Sequence, residues 1–191
     1  MKKALVSFVA ILFASVLNGQ TVTEYFDAGN PIKIDGTNFY LGWSSNPVDG
    51  YYLQEYYPKG EVPEHYNRMF TVSLLEGSQT PAIAAQAKVN ELAKRQETDK
   101  VCNYQMLDKE GEYIVDFVVS DMGSGELTTV EWNLHYYKSV KIGDKDYILL
   151  TFLSQRAYGD DILPFLKSIP DKRVKTIVEL SEKKLKIKNL L

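Results

Sequence analysis

Apolar and polar positions alternate along most of the chain, and that pattern predicts strands. Phe39, Leu41 and Trp43 alternate with Tyr40 and Gly42, and a second run covers Tyr51 to Tyr57. Between them Asn46-Pro47-Val48-Asp49-Gly50 has the chemistry of a turn. Phe70, Val72 and Leu74 alternate with Thr71 and Ser73. Further runs are carried by Cys102, Tyr104 and Met106, by Tyr113, Val115, Phe117 and Val119, and by Val130, Trp132, Leu134 and Tyr136. Residues two apart share a strand face, so each run offers one side to a core. Tyr147 to Gln155 is apolar on both faces, which predicts a central strand covered on both sides.

Three segments repeat at helical spacing instead. Thr80-Pro81 opens the first: the threonine can cap free amides, and a proline at the first helical position loses no bond. Ala85, Val89, Leu92 and Ala93 then share a face, so an Ala-rich helix is expected over 80–97. Ile162, Phe165, Leu166 and Ile169 give a second helix, with Asp160 or Asp161 as its cap. Pro170 is expected to break it, and Val174, Ile177 and Val178 mark a third. The fold class expected is α+β: a mostly antiparallel sheet of about six or seven strands, with the Ala-rich helix and two C-terminal helices packed on it.

The N-terminus departs from this pattern. Lys2 and Lys3 precede an uncharged run from Ala4 to Val16, too short for the ~20 apolar residues of a bilayer span but suited to a secretory signal. The expected organisation is a signal peptide over 1–19, a linker with one short strand over 20–36, and a single domain over 37–191. No other run approaches spanning length, so an exported, periplasmic or extracellular protein without a transmembrane segment is expected. The lone Cys102 can form no intramolecular disulfide.

Composition narrows the partners. Formal net charge is −3 over 191 residues, which argues against a nucleic-acid partner. Lys172, Arg173, Lys175, Lys183, Lys184, Lys186 and Lys188 outweigh Glu179 and Glu182 in the tail. Lys183, Lys184, Lys186 and Lys188 therefore make weak contact with an anionic membrane surface an expectation.

Candidate chemistry is sparse. His65, Cys102 and His135 are too far apart for the paired ligands of a structural zinc site, and Cys102 reads as a small core residue. Ser124 sits in Gly123-Ser124-Gly125 between two strands, a hairpin loop and not a nucleophile elbow. No phosphate-cradling glycine loop is present, and no cofactor is expected. Glu131, Asn133 and His135 share one strand face by their spacing of two, either as a ligand site or as a solvated face. Arg156 can pair with Glu131 or with Asp160 and Asp161. Tyr51, Tyr52, Tyr56 and Tyr57 crowd one strand, and Tyr52 and Tyr56 are candidate platform residues for a sugar or peptide.

Three segments together resemble a group of small uncharacterised exported proteins of Gram-negative bacteria. They are Tyr57-Pro58-Lys59-Gly60-Glu61 with Tyr66-Asn67-Arg68-Met69-Phe70-Thr71, then Val130-Glu131-Trp132-Asn133, and Ser154-Gln155-Arg156-Ala157-Tyr158-Gly159-Asp160-Asp161. The order of elements is also loosely similar to the PsbP/Mog1-like α/β/α sandwich. That likeness implies a non-catalytic accessory or binding module, and the group supplies no catalytic residues to carry over. The function expected is an exported, non-enzymatic binding or accessory module of the cell envelope, with a glycan, a peptide or an envelope protein as partner and Tyr52, Tyr56, Glu131, Asn133 and His135 as ligand-binding residues. The alternative is a small periplasmic hydrolase using Glu131 and His135, with Arg156 holding an anion.

Overall fold

A computed structural model describes residues 22–25, 27–185 and 187. The expected signal peptide over 1–19 lies outside the described residues. The elements run β1 (Ile32–Ile34), β2 (Thr37–Val48), β3 (Tyr51–Tyr57), β4 (Arg68–Glu76), α1 (Pro81–Arg95), β5 (Asn103–Lys109), β6 (Glu112–Gly123), β7 (Glu126–Ile142), β8 (Lys145–Tyr158) and α2 (Ile162–Glu182). One sheet holds all eight strands in the order β1-β2-β3-β4-β8-β7-β6-β5, and every neighbouring pair is antiparallel.

Hairpin turns set this order. Glu110 and Gly111 both take positive φ, 56° and 82°, between the paired ends Lys109 and Glu112. Ser124 and Gly125 do the same, at 54° and 85°, between Gly123 and Glu126. Two positive φ values make the type I′ turn, whose twist matches that of paired strands. Ser124 is therefore a turn residue.

This architecture overturns the expected fold class. Among the described residues the eight-stranded sheet dominates, and α-helix is confined to α1 and α2. The expected pair of C-terminal helices is a single helix with Pro170 inside it. Pro170 is exposed, so its ring meets solvent, while Ile169, Thr176 and Leu180 on either side are buried against the sheet. Burying the apolar Ile169 and Leu180 is worth about 1.5–3 kcal/mol each, enough together to offset the ~3 kcal/mol cost of an internal proline. Asp160 and Asp161 precede α2 in a short 3-10 turn, and Asp161, at the cap position, makes no side-chain capping bond.

The sheet's two faces are covered differently. Phe39, Tyr56, Phe70, Trp132, Leu134 and Leu153 point to one face and meet Ile162, Ile169 and Leu180 of α2. On the other face α1 lies over β5, β6 and β7. There Ala85 and Leu92 pack on Cys102, Val115, Phe117 and Tyr137, and the small alanines allow close approach. Thr80 caps α1 by accepting from the Ile83 amide at 3.3 Å. Past the end of α1, Asp99 accepts the Ser120 hydroxyl at 2.6 Å and the Ser120 amide at 2.7 Å, tying the helix end to β6.

Candidate functional site

The polar strand face of β7 belongs to the same side of the sheet as α1. Register places Glu131 opposite Arg156, Asn133 opposite Ser154 and His135 opposite Phe152. Opposed residues of antiparallel strands share a face with Cβ atoms about 4.5–5.5 Å apart, so these side chains meet in rows. Glu131 forms an ion pair with Arg156, both side chains being under a fifth exposed. The Glu131 carboxylate also accepts from the Tyr66 hydroxyl at 3.1 Å and from Asn133 Nδ2 at 2.9 Å. Ser154 Oγ in turn donates to Asn133 Oδ1 at 2.5 Å.

A loop after β3 closes over this cluster. The Arg156 guanidinium lies 4.1 Å from the centre of the Tyr66 ring. Backbone bonds fix the loop: Arg156 donates its amide to the Asn67 carbonyl at 2.8 Å, and Asn67 Nδ2 donates to the Arg156 carbonyl at 3.1 Å. Glu61 accepts the amides of Asn67 and Arg68 at 2.7 and 2.9 Å. Tyr158 donates to the Tyr66 carbonyl at 2.8 Å and stacks on His65 with ring centres 4.6 Å apart. Beside the loop Tyr57 donates to Glu55.

Electrostatics follow from burial. Burial opposes the Arg156 charge, but the Glu131 carboxylate together with the Tyr66 and Tyr158 hydroxyls raises its pKa above the ordinary value. Burial pushes the Glu55 carboxyl above its ordinary range, against the opposing influence of the Tyr57 hydroxyl and the Arg156 charge. Burial also raises Tyr66, and the neighbouring Glu131 adds to it.

The structure thus brings Glu131, Asn133 and Arg156 together. It does not bring His135 to Glu131: four strand positions separate them, roughly 13 Å along β7. His135 is 8% exposed, with Phe117 at 4.9 Å and Phe152 at 4.7 Å between ring centres, and its Nδ1 lies 3.2 Å from the Tyr137 hydroxyl. Burial, with a contribution from the Lys88 charge, holds its pKa well below the usual value and keeps the ring neutral. Tyr52 and Tyr56 point to the opposite face of the sheet. Tyr56 is 0% exposed and its hydroxyl accepts from Gln54 Nε2 at 2.7 Å, while half-buried Tyr52 lies against Tyr25 with ring centres 5.5 Å apart.

Other sequence candidates fall as follows. Cys102 is buried, its Sγ lies 3.6 Å from the Leu92 carbonyl, and burial pushes its thiol up. Among the described residues no cluster of three or more His, Cys, Asp or Glu could hold a metal, and no helix is long and apolar enough to cross a membrane. Lys183 Nζ reaches the Lys33 carbonyl at 2.8 Å and Lys184 is exposed. Lys186 and Lys188 lie outside the described residues.

Sequence reasoning missed a groove at the far edge of the cluster. It is an open depression of about 380 Å³ between β2 and the start of the loop, bordered by Tyr40, Gly42, Tyr57, Lys59 and Glu61. Tyr40 pairs directly with Tyr57 and is 42% exposed. Gly42 makes room: a Cβ there would lie 2.8 Å from the Tyr57 ring. The available signal was the glycine breaking an aromatic strand, at a register that only pairing reveals.

Comparison with curated proteins finds no match, and comparison with solved structures finds none either, for a PsbP-like sandwich or any other fold. Residues 26–185, most of the chain, match the model of a protein family, and the chain belongs to that uncharacterised family.

Proposed function

We propose that this chain is an exported, non-enzymatic binding module of the cell envelope, and that a sugar unit is what it binds in the groove beside Tyr40 and Lys59. The groove carries this reading. Its volume of about 380 Å³ suits a small ligand, and it joins an exposed aromatic ring to polar groups. A half-exposed tyrosine offers a flat apolar surface at low entropy cost, and the exposed ammonium of Lys59 offers hydrogen bonds to hydroxyls.

The polar cluster behind the groove supports binding over catalysis. Glu131 is occupied by Arg156, Tyr66 and Asn133, and His135 is neutral among aromatic rings. Neither is placed to move a proton at a substrate in the groove. The cluster instead fixes the loop that forms one wall. Export rests on the charged start and the thirteen-residue uncharged run at the N-terminus.

The reading is tested with a glycan array and titration calorimetry on protein recovered from the cell envelope fraction. Tyr40→Ala and Lys59→Ala are expected to weaken binding of the retained sugar tenfold or more without lowering the melting temperature. Retention of no sugar, or binding by both variants as tight as the parent's, overturns the groove assignment. Recovery of the chain only from the cytoplasm, with its first nineteen residues intact, overturns export.

A further inference from the structure

The two edges of the sheet differ. At the β1 edge α2 reaches across: Asp35 donates its amide to Glu179, and Lys183 Nζ reaches the Lys33 carbonyl. At the other edge β5 ends the strand order, and six of its seven residues are exposed. An open edge presents a row of backbone donors and acceptors, a template for a further strand.

The hairpin defines which groups face outward. The type I′ turn at Glu110 and Gly111 makes Lys109 and Glu112 a hydrogen-bonded pair. Alternation along the ladder then turns the backbone groups of Leu107, Gln105 and Asn103 toward β6, and those of Tyr104, Met106 and Asp108 outward. Natural edges are usually blunted by lysine, proline or a bulge. β5 contains no proline, its charges Asp108 and Lys109 are confined to the hairpin end, and it pairs with β6 over seven consecutive residues without a bulge. Met106 and Leu107, on opposite sides of the strand, are 39% and 40% exposed.

We propose that β5 is a dimerisation edge for a second copy of this chain, paired antiparallel about a two-fold axis at Met106. The register is self-complementary. Met106 exchanges both its backbone bonds with its own copy, and Tyr104 exchanges with Asp108 on each side of the axis, about six hydrogen bonds that use every outward group. Side chains agree with this pairing: Asp108 faces Tyr104, Lys109 faces Asn103, and no like charges are opposed. Leu107 is covered by Gln105 of the copy, and Met106 by Met106.

Sedimentation of the full chain across micromolar concentrations tests this, with hydrogen exchange as a second readout. The expected result is a species of twice the chain mass, with the amides of Tyr104, Met106 and Asp108 exchanging more slowly as concentration rises. Met106→Pro removes an outward amide and leaves the β5–β6 bonds intact. Met106→Lys sets two ammonium groups face to face across the axis. Both variants are expected to sediment as single chains. Should the proline variant lose its folded circular dichroism signal, the lysine variant, at an exposed position, decides. A single-chain mass for the parent at the highest concentration overturns the proposal, as does a dimer that survives Met106→Lys. Protection of the same amides only by an added extended peptide also overturns it.

Discussion

Removing Glu131 leaves the Arg156 guanidinium without its counter-ion in a site where it is only 18% exposed. Truncating one member of a buried pair costs about 3–5 kcal/mol, because the remaining charge is stranded. The residual exposure of both side chains screens part of that, so about 2–4 kcal/mol is expected for Glu131→Ala. The Tyr66 hydroxyl and Asn133 Nδ2 lose their acceptor in the same variant, and these losses are not additive with the first. For a chain of this size the melting temperature should fall by roughly 5–15 °C. Replacing both partners, as Glu131→Leu with Arg156→Met, removes the stranded charge and should restore stability to within about 1 kcal/mol of the parent. Urea unfolding of the parent, of Glu131→Leu, of Arg156→Met and of the double variant closes a cycle. A coupling below about 0.5 kcal/mol, or a double variant no more stable than Glu131→Ala, would refute a pair whose energy depends on burial.

Three further outcomes follow from particular contacts. The neutral, buried His135 makes the folded state bind fewer protons than the unfolded one below the ordinary histidine pKa of about 6.5. Stability from this residue is full above that pH and falls as pH drops through it, by up to about 1.4 kcal/mol per unit. Urea midpoints measured between pH 7 and pH 5 should show that slope, and His135→Gln should flatten it; an equal slope in both proteins rejects the assignment. Gly42→Ala places a Cβ against the Tyr57 ring and should cost about 1–3 kcal/mol while reshaping the groove, visible as a lower melting temperature together with weakened sugar binding. Cosedimentation with vesicles rich in anionic lipid at low salt should be lost when Lys183, Lys184, Lys186 and Lys188 are all changed to Gln, each lysine being worth about 1 kcal/mol near such a surface; binding that is absent in the parent or intact in the variant removes the tail from the account.

Strand positions were readable wherever one face is buried, because burial imposes the period of two. Phe70, Val72 and Leu74 of β4 lie on one face where alternation puts them, although Thr71 and Ser73 on the other face are buried as well, so there residue type and not exposure carries the period. Helix ends were less readable. Pro170 signals a break on local grounds, yet α2 runs through it, because the cost of one lost bond is local while the burial of Ile169, Thr176 and Leu180 is tertiary. The weight of sheet against helix was misjudged for a related reason. β7 runs on past Tyr136 to Ile142, where half-buried Val140 and Ile142 alternate with exposed Ser139 and Lys141 in a run too short to stand out by itself, and pairing with the start of β8 extends the sheet there.

The site divides along the same line. Alternation correctly puts Glu131 and Asn133 on one face, and Arg156 meets Glu131 because the β7–β8 register sets them opposite. Face-sharing is a statement about direction, whereas reactivity depends on distance and on what fills the space between. Asn133 occupies the position between Glu131 and His135, and the rings of Phe117 and Phe152 enclose the imidazole. Three polar residues in one row therefore divide into an ion-pair anchor and a desolvated histidine. Tyr66 completes the anchor from a loop some sixty residues earlier in the chain, where nothing local marks it, since its partner is met only after β4 and β8 have placed the loop against β7. The tyrosines of β3 show the converse: the strand that places Tyr57 beside the groove must turn Tyr56 into the core, because successive side chains leave opposite sides of a strand. An aromatic-rich strand thus supplies one wall of the groove and one core layer, and which tyrosine serves which is decided by the helix or loop that covers each face.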